Sequence, residues 1–261
     1  QLIQQSMTES VAVLLLTQVN FRTGKLLDMA KLTQLAHDKG ILVIWDLAHS
    51  AGALPVELDK CQVDFAVGCG YKYLNAGPGS PAFLYVAKHH QTAVKQPLSG
   101  WMGHANPFAF EPEYQAADSI NQFQCGTPSV LAMSALDAAL DVWQDVNMQQ
   151  IRNKSIALAD LFLGLIHMHE CLHDLILCSP NTAKQRGSQL AFSHNDAFAI
   201  CQALIEKGVI ADFRAPNILR FGFTPLYTSF EDVWQAVTTL ASIVETELYK
   251  ADRFNISLKV T

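Results

Sequence analysis

"VAVLLLTQVNFRTGKLLDMAKLTQLAHDKGILVIWD", residues 11–46, is the stretch that decides the fold. An apolar run (11–19) leads through a polar link into a stretch with helical spacing (27–40) and then a second apolar run (41–46), the order of a β-α-β unit. Both runs are continuously apolar rather than alternating, which predicts a parallel sheet covered on both faces. Gly40 stands where a helix C-cap falls. Two more apolar runs follow, "DFAVGCG" (64–70) and "PAFLYVA" (81–87), so the first half reads as an α/β sheet.

After about residue 127 the texture changes. A long helical pattern, "SVLAMSALDAALDVWQDV", continues through "IALADLFLGLIHMHE"; short strand candidates "DLILC", "SQLAFS" and "ILRFGF" come next, and "FEDVWQAVTTLASIVETELYK" closes the chain as a helix. These elements predict a small α+β domain over 128–261, after a mostly parallel α/β domain with helices on both faces over 1–127. The boundary falls near "CGTPS" (125–129).

Composition narrows the function. The chain has 261 residues, half of them hydrophobic, enough for a substantial core. Lys and Arg number 18 against 24 Asp and Glu, a net charge of −6, so no basic face for nucleic acid is implied. The longest apolar runs fall far short of the roughly 18 to 20 residues of a membrane span, and a soluble protein is expected. Cys61, Cys69, Cys125, Cys171, Cys178 and Cys201 form no CxxC pair, the pattern of free thiols in a reducing cytoplasm. The opening "QLIQQSMTES" has no signal-peptide layout and reads as the middle of something longer.

In open α/β sheets ligands sit at the carboxyl ends of strands, which directs attention to the polar residues ending the apolar runs: Thr17, Asp46, Tyr71 and Lys72. An ionised Asp46 beside so much apolar surface needs a cation or hydrogen-bond donors. Lys72, set among Gly70, Gly77 and Gly79 with no acidic neighbour in "CGYKYLNAGPGSP" (69–81), needs an anion or a covalent fate. Pyridoxal phosphate answers both needs, since its aldehyde forms an imine with a lysine and its ring nitrogen pairs with a buried aspartate. A lysine outside any salt bridge also stays nucleophilic.

"LLLTQVNFRTGKLLDM", "VIWDLAHSAGALP" and "GCGYKYLNAGPGSPAFLYV" together resemble kynureninase, a pyridoxal-phosphate enzyme family of the aspartate aminotransferase-like fold. The resemblance is densest over Val11–Trp101 and returns in "RAPNILRFGFTPLYTSFEDV" (214–233). It implies hydrolytic Cβ–Cγ cleavage of L-kynurenine or its 3-hydroxy form to anthranilate or 3-hydroxyanthranilate and L-alanine, in tryptophan catabolism. By the same resemblance Lys72 is the imine-forming lysine and then the base that moves the α-proton; Asp46 binds the ring nitrogen, and His49 lies beside the cofactor. Tyr71 and Thr17 hydrogen-bond the cofactor, Tyr71 through its phosphate and as a proton relay. Trp101 and Thr127 reach the phosphate of the neighbouring subunit's cofactor in a homodimer. Arg220 holds the substrate carboxylate as a bidentate fork, a geometry lysine cannot copy.

Read without the resemblance, Trp101 is ordinary core, Thr127 a helix N-cap and His49 a turn residue. Arg220 is harder to dismiss, because a guanidinium buried in an apolar strand demands an anion. Family members also carry a long N-terminal part supplying early strands, an aromatic that stacks on the cofactor and phosphate donors. Its absence here leads to the expectation of a C-terminal piece that keeps the lysine but lacks one wall of the site. Two alternatives stand beside this: a non-catalytic folded remnant, and a cysteine desulfurase-like activity using Cys125. "NFRTGK" (20–25) imitates a phosphate loop, but Val19 and Leu26 occupy the places of its first glycine and its Ser or Thr. In "HMHECLHD" (167–174) the histidines read as a water-exposed helix end, and no metal is expected.

Overall fold

The computed structural model describes residues 2–256. The chain divides into two compact units, one holding residues 2–18, 28–51 and 56–145, the other 19–27, 52–55 and 146–256.

The first unit contains α1 (Leu2–Ser6), β1 (Val13–Thr17), α2 (Met29–His37), β2 (Leu42–Asp46), β3 (Phe65–Cys69), β4 (Ala82–Val86) and α3 (Val130–Asp141). Its sheet has the order β1-β2-β3-β4; the first three strands are parallel and β4 returns antiparallel to β3. The β-α-β pattern is set by local signals at both ends of α2. Asp28 caps its first turn by accepting the Lys31 N–H at 3.0 Å. Gly40, at φ +71°, turns the chain so that the Ile41 N–H reaches the Ala36 carbonyl at 3.0 Å. Trp45 is buried on the face α2 covers, its indole N–H donating to Thr33 Oγ1 at 3.0 Å.

The opposite face differs from the expectation of cover on both sides. Val13, Leu15, Leu42, Val67 and Leu84 lie in register on that face and are exposed. A continuous apolar run reports that both faces of a strand are apolar, not which segment packs on them. The apolar helix α3 likewise has no buried residue. The long helical pattern also breaks: α3 ends at Asp141, and Asn147 starts a new helix by accepting the N–H groups of Gln149 and Gln150.

The second unit contains α4 (Met148–Met168), β5 (Ile176–Leu177), β6 (Gln189–Ser193), α5 (Ala197–Glu206), β7 (Asp212–Arg214), β8 (Ile218–Gly222) and α6 (Phe230–Glu245). Its antiparallel sheet runs β5-β6-β8-β7. The core gathers Phe162 of α4 with Phe192, Phe221 and Phe223, joined by Ile200, Leu204, Val237 and Leu240. Two of these elements have no counterpart in the sequence reading. The stretch "AFAICQALIE" of α5 is apolar nearly all round and gives no amphipathic contrast, because Ala197, Ala199, Ile200, Cys201, Ala203 and Leu204 are all buried. Strand β7 is three residues long, too short for a periodicity. Among the described residues no helix is long and apolar enough to cross a membrane. None of the six cysteines is in a disulfide.

Candidate active site

Parallel pairing of β1, β2 and β3 puts their carboxyl ends on one edge of the first unit's sheet. Thr17 and Asp46 are direct partners at the last register position of β1 and β2. The Asp46 carboxylate is half-buried and accepts the Ala48 N–H at 2.8 Å, which starts the turn that carries His49. Next along the edge β3 ends at Cys69, and Gly70, Tyr71 and Lys72 follow.

The loop after β3 is shaped by glycine for two separate reasons. A side chain at Gly70 would run into Ser80 Oγ, Leu136 and the Pro81 carbonyl, so only hydrogen fits. Gly77 and Gly79 take φ values of +75° and +86°, where an L side chain is strained. The loop folds back on itself through Ala76 N–H to the Gly70 carbonyl and Asn75 N–H to the Lys72 carbonyl. Lys72 Nζ then lies 3.2 Å from His49 Nε2 and 5.3 Å from the centre of the Tyr71 ring. Lysine, histidine, aspartate and threonine therefore share one sheet edge, although 55 residues of sequence separate Thr17 from Lys72.

This donor set fits pyridoxal phosphate: a primary amine for its aldehyde, a carboxylate for its ring nitrogen, and a hydroxyl beside the carboxylate. Two buried polar atoms with no hydrogen-bond partner flank the same edge. They are Gln18 Oε1, next to Thr17, and Ser80 Oγ, packed against Gly70. Buried polar atoms of this kind are uncommon in finished sites and are suited to a bound polar ligand.

Trp101 and Thr127 belong to segments that meet in the first unit. A methyl group on Gly100 would overlap the backbone of Cys125, and the Cys125 thiol donates to the Leu98 carbonyl at 2.7 Å. Trp101 is 46% exposed, edge-on to Phe108, so it is not core. The N-cap of α3 is Ser129 rather than Thr127, which is exposed. Neither of the ordinary roles offered for these two residues applies. His49 does occupy a turn, and it bonds Lys72 from there.

Arg220 sits in β8 of the second unit and is 8% exposed. The anion that its burial demands is internal: its guanidinium donates to Asp212 of β7, its register partner, and to the Phe21 carbonyl. The turn that supplies Phe21 is the "NFRTGK" segment. Asn20 Oδ1 accepts the N–H groups of Arg22 and Thr23, and Gly24 at φ +70° packs against the Gln189 carbonyl, making a tight polar turn instead of a phosphate cradle. Asp212 is not recognisable as a partner before folding, because nothing marks a three-residue strand as the neighbour of β8. Two further buried arginines are structural. Arg186 pairs with Asp160 and bonds the Pro180 and Asn181 carbonyls, while Arg152 bonds the carbonyls of Ala183, Arg186 and Gly187.

Comparison with known structures assigns the fold first. A cysteine desulfurase from Thermococcus onnurineus NA1 superposes with a TM-score of 0.79 at 17% identity, covering 94% of this chain and 62% of that one. A variant of C-DES with glycine covalently linked to its PLP cofactor gives 0.77 at 19% identity, covering 92% and 62%. The chain thus has the fold of the pyridoxal-phosphate-dependent enzymes of the aspartate aminotransferase type. Sequence is more particular. Residues 151–240 match the family model of the kynureninase C-terminal domain. Kynureninases of Burkholderia mallei (strain SAVP1) and Pseudomonas fluorescens are 49% and 46% identical over 256 and 257 residues, 98% of this chain in each case. The chain spans 62% of the length of those kynureninases and is similar to them along nearly all of its own.

Proposed function

We propose that this chain carries the lysine-bearing part of a kynureninase active site, for hydrolytic Cβ–Cγ cleavage of L-kynurenine or 3-hydroxykynurenine to anthranilate or 3-hydroxyanthranilate and L-alanine. The observation that carries the proposal is the alignment of Thr17, Asp46, His49 and Lys72 along one carboxyl edge, in a chain 49% identical to kynureninases over 98% of its length. Pyridoxal phosphate, when bound, supplies the aldehyde for amine capture and an electron-poor ring that stores the electron pair of the broken bond.

The protein's share of the work is placement and proton handling. Asp46 holds a negative charge against the ring nitrogen and keeps it protonated. Lys72 would hold the cofactor through Nζ, and the same nitrogen, when free, would take the substrate α-proton; His49 would orient it. Thr17 and Tyr71 hydrogen-bond the cofactor, Tyr71 also relaying a proton. By the resemblance Arg220 would grip the substrate α-carboxylate, its guanidinium steadied by Asp212 and the Phe21 carbonyl. Trp101 and Thr127 serve the cofactor phosphate of a second subunit in a homodimer. The six unbridged thiols support a cytoplasmic setting, and the reaction belongs to tryptophan catabolism.

The test is an absorption spectrum of the full chain mixed with pyridoxal phosphate, beside Lys72→Ala. A visible band present in the parent and lost in the variant supports the reading, and its change on adding L-kynurenine identifies the substrate class. No band in either protein overturns it. Sulfide release from cysteine, lost in Cys125→Ala, would instead favour desulfurase chemistry.

A further inference from the structure

Three histidines converge on one buried carboxylate at the other end of the first unit's sheet. Asp64 immediately precedes β3, and its side chain is only 4% exposed. His37 is the last residue of α2; His89 and His90 lie in a short 3-10 turn that follows β4. Because β4 runs antiparallel to β3, both contributions meet at the amino edge of β3, opposite the carboxyl edge that leads to Lys72.

The two oxygens of Asp64 are used differently. Oδ2 accepts the Val43 N–H and the His37 Nε2, each at 2.8 Å, which fixes the carboxylate from the inside. Oδ1 faces outward, with His90 Nε2 at 2.8 Å and His89 Nε2 at 3.9 Å. Phe65 stacks on the His90 ring at 5.0 Å and 17°, and the rings of His89 and His90 are 4.0 Å apart. Among the described residues, Asp64, His89 and His90 are the one group whose ligand atoms all approach within 4.8 Å of each other. The local "HMHECLHD" histidines form no such group.

Charge gives this arrangement its meaning. The buried carboxylate of Asp64 has only histidines as ion-pair partners among the described residues, and imidazole is also a common ligand of divalent metals. We propose that Asp64 Oδ1, His89 Nε2 and His90 Nε2 bind a zinc-type divalent ion, with His37 and the Val43 N–H holding the carboxylate from behind.

The chemistry and the spacing agree. Two imidazoles and one carboxylate suit zinc better than calcium or magnesium, which prefer all-oxygen sites. Tetrahedral bonds of about 2.0–2.2 Å put ligand atoms roughly 3.3 Å apart, between the two separations to Oδ1, so each histidine shifts by about half an ångström. Both rings would then carry their proton on Nδ1. His89 is 67% exposed, leaving the fourth position to water. Such an ion ties the turn after β4 to the start of β3.

The test uses the full chain, stripped with a chelator and kept free of added cofactor. Titration with Co²⁺ should give visible ligand-field bands that saturate at one equivalent and are displaced by Zn²⁺. His89→Ala, a change at an exposed side chain that leaves the fold intact, should weaken binding more than about tenfold. His37→Ala, which removes a group behind the carboxylate, should weaken it by about tenfold or more. Absence of saturable binding in the parent overturns the proposal, as does binding that survives His89→Ala or is lost instead in a His169→Ala, His173→Ala variant.

Discussion

Lys72 Nζ and His49 Nε2 lie 3.2 Å apart, joining the turn after β2 to the loop after β3. The contact gives the amine an imidazole partner and brings it to the strand end where Asp46 stands. Borohydride reduction of the chain with pyridoxal phosphate should therefore fix the cofactor on the peptide containing Lys72, read by mass spectrometry. In His49→Ala the same peptide should still be labelled. Its cofactor affinity should fall by about two- to thirteenfold, the loss of one hydrogen bond worth about 0.5–1.5 kcal/mol. Labelling spread over other lysines in the parent would show that this edge does not select Lys72.

Arg220 and Asp212 form a second separable unit of behaviour. The arginine is buried and the aspartate partly exposed, so removing them is unequal. Arg220→Ala should cost about 3 kcal/mol in urea unfolding, since it takes the buried donor from the Phe21 carbonyl and leaves Asp212 with Arg214 alone. Asp212→Asn should cost less, about 1–2 kcal/mol, because water screens its end of the pair. A double-mutant cycle should show coupling between the two, and equal additive costs would mean the ion pair contributes nothing. Arg220→Lys should not restore the stability lost in Arg220→Ala in full, for want of a planar fork that reaches both Asp212 and the Phe21 carbonyl.

Much of the first unit is legible in the sequence because its signals are local. Asp28, the Met29–Thr33–Ala36 stripe and Gly40 announce α2, and the apolar runs around it announce β1 and β2. The candidate site is legible for the same reason: Asp46 and Lys72 end apolar runs, and parallel strands bring such ends together. What is hidden depends on tertiary pairing. His37 and His90 are 27 and 26 residues from Asp64, and no spacing rule connects them, whereas the conspicuous histidines of 167–173 share a stretch of chain without converging. Asp212 is hidden likewise, since only the β7–β8 register sets it beside Arg220. Helix α5 is missed because its sequence is apolar nearly all round, which leaves too little of the polar face that periodicity needs.

The thiols should divide by burial. Burial, with Asp212 nearby, pushes the Cys201 thiol up to about 11, and its side chain is inside the second unit's core. The Cys125 thiol is exposed. Iodoacetamide at pH near 8 should alkylate Cys125 within minutes and leave Cys201 untouched until denaturant is added, as followed by peptide mass spectrometry. Early labelling of Cys201 in native protein would show that α5 opens far more readily than its packing implies.

Helix α6 offers a test whose sign depends on pH. Its first turn is closed by a capping box: Ser229 Oγ accepts the Asp232 N–H at 3.0 Å, while the Asp232 carboxylate accepts the Ser229 N–H at 2.7 Å and its hydroxyl at 2.8 Å. These bonds, the backbone one foremost, hold the Asp232 carboxyl below its usual value. A carboxyl whose folded pKa is lowered stabilises the fold above its unfolded pKa, and that contribution is lost as pH falls through the folded value. Ser229→Ala should cost about 1 kcal/mol at neutral pH, typical of a lost serine cap. The gap between parent and variant in urea unfolding should narrow as pH drops below the ordinary carboxylate range, because protonated Asp232 no longer accepts both bonds. A gap that stays constant from neutral pH to about pH 3, a unit below the ordinary aspartate value, would mean that the serine acts alone and the reciprocal half of the box adds no stability.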